Sequence, residues 1–83
     1  MNIDTLHTYI TTEILNDAQL AIGADDDLLL MGILDSLGVM RLIAHIDDTL
    51  GIDVPPEDVT LENFGSLRQI EAYLARFTPS VAV

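Results

Sequence analysis

The chain has 83 residues, no cysteine, a hydrophobic fraction of 49% and few aromatics (two Tyr, two Phe, no Trp). That describes one small domain with an aliphatic core, held by packing, without a disulfide staple or thiolate chemistry of its own. Fourteen acidic residues against three arginines and no lysine give a net charge of −11, which disfavours nucleic acid and anionic membranes; attraction to partners with basic faces and plain solubility account for it equally.

The first helix is predicted from about Ile3 to Asp17 or Leu20. Ile3, Leu6, Ile10 and Ile14 recur at helical spacing, Leu15 widens the stripe, and Asn2 or Asp4 supplies the cap. The same stretch, Asn2 to Leu15, has neither a basic start nor a continuous apolar run, and the longest apolar runs of the chain are too short to span a bilayer. A cytoplasmic protein without membrane insertion is expected.

Ala21 to Asp35 reads as a long loop opened by Gly23 and Asp25-Asp26-Asp27. Leu28, Leu29, Leu30, Ile33 and Leu34 should pin it onto the helices, and a loop of this length in a compact domain is usually functional. The aspartate run does not make a calcium loop. Counting Asp25 and Asp27 as the first and third ligands, the fifth and sixth positions are Leu29 and Leu30 and the twelfth is Ser36, where an oxygen ligand, a glycine and a glutamate are needed.

A second helix should run from Ser36 or Leu37 to about Leu50, with Val39, Leu42, Ile43, Ile46 and Leu50 facing the core and Gly51 stopping it. Leu37, Met40 and Arg41 lie on or near the other side. Ile52 to Pro56 is extended, Thr60 caps a short turn through Asn63 with Phe64 inward, and Ser66 with Gln69 fits a capping box opening the last helix. Leu67, Ile70, Tyr73, Leu74 and Phe77 form that helix's buried side. Pro79 ends it, leaving residues 78–83 as a flexible tail. The whole, 1–83, is one domain with its core at about 3–77.

Chemistry can reside in very few places. His7 and His45 stand alone on their helices, with no ligand set for a metal. Ser36, at a helix start, sits beside unpaired N–H groups and the positive end of the dipole, a favourable place for a phosphate ester; a helix cap accounts for the same position. As a hydrolase nucleophile it lacks a base. His45 is nine positions further on the same helix, roughly 13 Å along its axis, and the Gly-x-Ser-x-Gly elbow is absent, with Leu34 and Gly38 in the flanking places. The chain is not expected to be an enzyme.

The run Asp26-Asp27-Leu28-Leu29-Leu30-Met31-Gly32-Ile33-Leu34-Asp35-Ser36-Leu37 closely resembles the attachment site of acyl and peptidyl carrier proteins. Leu50 to Thr60 is similar to that family's connector after the second helix, and Asn63-Phe64-Gly65-Ser66-Leu67 to its entry into the last one. The resemblance covers roughly residues 3 to 77. It implies an all-α, acyl-carrier-type four-helix bundle with three longer helices and one short one. It also implies a 4′-phosphopantetheine arm, moved from coenzyme A to Ser36 by a phosphopantetheinyl transferase and holding an acyl or aminoacyl group as a thioester. Asp35, Leu37, Met40 and Arg41 become the expected docking surface.

Its partners would be an adenylating or acyl-transferring enzyme and downstream tailoring or condensing enzymes, with the carrier a monomer. Arg41, where fatty-acid carriers usually have an acid, makes the chain look more like free-standing peptidyl-type or D-alanyl-type carriers, and a stand-alone carrier of secondary metabolism is the preferred context. A fatty-acid or polyketide carrier, and an acidic helical interaction module in which Ser36 is only a helix cap, are the alternatives.

Overall fold

The first helix begins where the sequence offers a reciprocal cap. Asn2 Oδ1 accepts the Thr5 N–H at 2.9 Å while Thr5 Oγ1 accepts the Asn2 N–H at 3.0 Å, so Asn2 and not Asp4 is the cap. The computed structural model describes residues 1–77. It consists of α1 (Ile3–Tyr9), which continues as a π-helical turn (Ile10–Ile14), then α2 (Ser36–Leu50), α3 (Leu61–Phe64) and α4 (Leu67–Ala75), with a 3₁₀ turn (Pro56–Asp58) before α3. This is the expected all-helical arrangement, with α3 as the short member. The tail from Thr78, and Pro79 as a helix stop, lie outside the described residues.

α1 ends earlier than its apolar stripe predicts. The Thr11 hydroxyl donates to the His7 carbonyl at 2.8 Å, and the Thr12 hydroxyl donates to the Thr8 carbonyl. These side-chain donors share carbonyls of the preceding turn, a pattern that bends helices. The ladder then widens, with the Leu15 N–H reaching the Ile10 carbonyl at 2.9 Å. Asn16 at φ 54° turns the chain away, so neither Asp17 nor Leu20 belongs to the helix and the loop starts at Leu15.

The loop is tied down at several points. The Ile22 N–H donates to His7 Nε2 at 3.0 Å, the Arg68 N–H to the Ala24 carbonyl at 3.0 Å and the Leu28 N–H to the Gly65 carbonyl at 2.7 Å. His7 is thus an acceptor for the loop, a role the sequence did not suggest. Leu28 and Leu34 are buried, as expected of anchors, but Leu30 is 71% exposed.

One core cluster joins Leu6 of α1, Ile10 of the π-helical turn, Leu42 and Ile46 of α2, Phe64 of α3, and Leu67, Ile70, Tyr73 and Leu74 of α4. α1 packs against α4, α3 against α4, and α2 against the π-helical turn. The caps of the later helices fall at Thr60 and Ser66, which accept the N–H groups of Asn63 and Gln69, and Gly51 closes α2 at φ 70°. Phe77 departs from expectation. It is 44% exposed beyond the end of α4, its ring tilted against Tyr73 with centroids 4.9 Å apart.

Tyr73 holds the connector to the last helix. Its hydroxyl donates to Asp58 Oδ2 at 2.6 Å, and its ring meets Phe64 at 5.4 Å between centroids. Burial first, and the hydrogen bond to Asp58 second, push the phenol pKa up to about 12. Thr11 and Ser66, the two buried polar residues among the described residues, are both hydrogen-bonded.

Candidate functional site

The start of α2 is built by Asp35. Its backbone is extended at φ −100°, and its Oδ1 accepts the Gly38 N–H at 2.8 Å while its carbonyl accepts the Val39 N–H at 2.9 Å. Asp35 is therefore the N-cap, and Ser36 is the first helical residue. This corrects the reading of Ser36 as a cap: the carboxylate already performs that task, and it is also the favourable charge at a helix N-terminus.

Ser36 is exposed, and its hydroxyl makes no hydrogen bond among the described residues. The N–H groups of Ser36 and Leu37 have no acceptor there either. A free, solvent-facing hydroxyl beside unpaired donors fits a phosphodiester-linked group: the ester oxygen displaces no internal bond, and the phosphate lies near N–H groups. The same hydroxyl cannot act alone as a nucleophile. His7 is occupied by the Ile22 N–H, and the His45 ring is stacked on Tyr9 with centroids 3.8 Å apart and planes 9° apart. Among the described residues no group of three or more His, Asp or Glu side chains could hold a metal ion, and no helix is long and apolar enough to cross a membrane.

Large apolar side chains surround this serine in the chain while facing solvent. Leu37 and Met40 on α2 are each 66% exposed, as the helical stripe predicted. Leu30 and Met31 in the preceding loop are 71% and 64% exposed and escaped sequence reasoning. A usable signal was present in Asp27. Its Oδ1 accepts the Leu30 N–H and its carbonyl the Met31 N–H, each at 3.1 Å. The resulting turn buries Leu28 and sends Leu30 and Met31 outward.

Arg41 is exposed on the same helix. Among the described residues it alone of the three arginines has no side-chain partner: Arg68 pairs with Asp25 at 2.7 Å, and Arg76 lies over the Tyr73 ring at 5.5 Å. The Arg41 carbonyl accepts the Tyr9 hydroxyl at 3.3 Å, which ties α1 to this part of α2.

An open cleft of about 740 Å³ begins at Asp35 and Ser36 and runs between α2 and the connector, its walls including Leu34, Val39, Ile43 and Val54. It is largely apolar and broad-mouthed. The structure thus brings Ser36, Asp35 and Met40 to one opening, with Leu37 and Arg41 exposed on the same helix.

Comparison with known proteins gives concordant results. The sequence pattern of the family described as "Phosphopantetheine attachment site" matches residues 6–74. The D-alanyl carrier protein of Enterococcus faecalis (strain ATCC 700802 / V583) is 34% identical over 70 residues, 84% of this chain and 90% of that protein. A chain in the crystal structure of an FAD-dependent dehydrogenase superposes with a TM-score of 0.74 at 31% identity, covering 82% of this chain and 96% of that one.

Proposed function

We propose, for a chain that belongs to the phosphopantetheine-attachment family of carrier proteins, that Ser36 bears the arm and that the protein is a stand-alone carrier loaded by an adenylating enzyme. The carrier role and the covalent cofactor follow from the family; the family is non-catalytic, and its members are modified by phosphopantetheinyl transferases and visited by loading enzymes. The observation that carries the choice of Ser36 is its free, exposed hydroxyl at the first position of α2, directly after a capping Asp35.

When bound, the group supplies a thiol that takes an acyl or aminoacyl cargo as a thioester. The chain's own contribution is presentation. Asp35 fixes the first turn, so the Ser36 hydroxyl is offered to a transferase that brings its own base. In that transfer the Ser36 oxygen forms the new bond to phosphorus, the pyrophosphate bond of coenzyme A breaks, adenosine 3′,5′-bisphosphate leaves, and the hydroxyl proton passes to the transferase's base. Leu37, Met40 and Arg41 form the docking surface with Asp35, joined by Leu30 and Met31. Weak, rapidly formed complexes suit a shuttle, and the acidic surface raises encounter rates with basic partners.

The cargo we infer is a small amino acid, a reading supported by the 34% identity to a D-alanyl carrier protein and by Arg41. The likeness to a chain in an FAD-dependent dehydrogenase structure supports an oxidising flavoenzyme among the tailoring partners. A single domain acting as a monomer in the cytoplasm completes the proposal. The module in which Ser36 is only a cap loses its basis, because Asp35 is the cap.

The test is intact-protein mass after incubation with coenzyme A, magnesium and a broad-specificity transferase. One phosphopantetheinyl group is expected on the wild type and none on Ser36→Ala, whose stability should change by less than about 0.5 kcal/mol because no cap is lost. Addition to the alanine variant, or none to folded wild type with two different transferases, defeats the assignment. Offering the modified protein an adenylating enzyme with ATP and amino acids, against an acyltransferase with acyl-coenzyme A, then separates the aminoacyl from the fatty-acid or polyketide reading.

A further inference from the structure

Gly38 stands in the first turns of α2, where glycine weakens a helix relative to alanine, yet nothing in its backbone requires it: it lies within a regular right-handed helix. The reason lies in its surroundings. Gly38 is buried, and a Cβ there would stand 3.1 Å from Ile14 Cγ2, 3.3 Å from Leu34 Cδ2 and 3.4 Å from Asp35 Oδ1. The first two are tighter than ordinary van der Waals contact.

Each of these neighbours bears on Ser36. Leu34 and Asp35 are the two residues before it, and Asp35 is its helix cap, bound to the Gly38 N–H itself. Ile14 is the last residue of the π-helical turn, the part of α1's continuation that packs on α2. The widened turn, drawn out by the Thr11 and Thr12 hydroxyls, therefore ends with a branched side chain seated where α2 has no Cβ.

We propose that Gly38 is a positioning residue for modification of Ser36: the space it leaves lets Ile14 buttress the cap and first turn of α2, and so sets the aim of the Ser36 hydroxyl towards the incoming phosphorus. The proposal rests on Ser36 being the attachment residue. Gly38→Ala inserts a methyl against Ile14 and displaces Leu34 or Asp35 by a few tenths of an ångström, without altering the docking side chains Leu37 and Met40.

The experiment measures steady-state transfer of phosphopantetheine from coenzyme A to the full chain, with Ser36→Ala as the control for the site. For Gly38→Ala, kcat falls about tenfold, as expected when a reacting group is misplaced, while KM for the carrier stays within about twofold because Leu37, Met40 and Arg41 are unchanged and Asp35 moves by only a few tenths of an ångström and keeps its charge. Ile14→Leu keeps the side-chain volume but removes the branch methyl Cγ2, so the double variant Gly38→Ala/Ile14→Leu recovers most of the lost kcat. A purely structural glycine would lower the melting temperature without this kcat loss and its rescue.

Wild-type kcat in Gly38→Ala, or failure of Ile14→Leu to restore it, overturns the proposal. Should Gly38→Ala not fold, Ile14→Leu alone reads the same contact. Faster exchange of the Gly38 amide together with slower transfer supports it, and unchanged transfer overturns it. Loss of modification at Ser36 in the wild type itself is a different result and defeats the attachment assignment instead.

Discussion

The region where the connector meets α3 and α4 and the region where the loop meets α2 contain similar residues arranged to opposite ends. Around Tyr73, the large side chains Phe64, Leu67, Ile70 and Leu74 are all buried, and the one phenol is bound to Asp58. Around Ser36, Leu30, Met31, Leu37 and Met40 face solvent, the hydroxyl is free and the Arg41 side chain has no partner among the described residues. A chain of this size has little stability to spare. The contrast teaches that tight packing is concentrated around Tyr73, while the exposed apolar side chains around Ser36 are the ones the proposed docking partners would cover.

The largest effect should come from breaking the closed region. Phe64→Ala removes a fully buried ring from the junction of α3 and α4 and is expected to cost about 3–5 kcal/mol, comparable with the total stability of a small domain. A urea titration followed by circular dichroism checks this, and a loss below about 1 kcal/mol would show that the junction is not where stability resides.

Tyr73 gives a sharper and smaller test. Its pKa is raised from the ordinary phenol value of 10.0 to about 12, so the folded state holds this proton more tightly than the unfolded state does. That contribution is complete below about pH 10 and is lost as pH rises towards 12. Tyr73→Phe should cost about 1–2 kcal/mol at neutral pH, by removing the donor to Asp58. It should also flatten the fall in stability between pH 10 and 12 seen in the wild type. An equal alkaline fall in both proteins would assign it to other groups.

The smallest effect on stability belongs to the open region. Leu37→Ser and Met40→Gln should each shift unfolding by no more than about 0.5 kcal/mol. Transfer of phosphopantetheine to the chain should nevertheless slow, through a raised KM for the carrier. If these changes destabilise the chain as Phe64→Ala does, the comparison fails, and the two residues belong to the packing.

Much of this division was legible in the residues. Amphipathic stripes located α2 and α4, and Asn2, Gly51, Thr60 and Ser66 marked helix ends correctly because caps act over three or four positions. The run through Asp35-Ser36-Leu37, with the connector at its spacing, is enough to point to a carrier. Local pattern determines these features, since each depends on neighbours within about one helical turn.

Tertiary structure decided the rest. Whether Asp35 or Ser36 caps α2 turned on backbone geometry that both residue types allow. Leu28 went inward where its N–H meets the Gly65 carbonyl, on a segment far along the chain, while Leu30, in the same apolar run, stayed exposed. His7 found its partner fifteen residues away at Ile22, and Gly38 found its reason in Ile14, on another element. Burial and close approach depend on residues distant in the chain, so periodicity can nominate a face but cannot say what meets it.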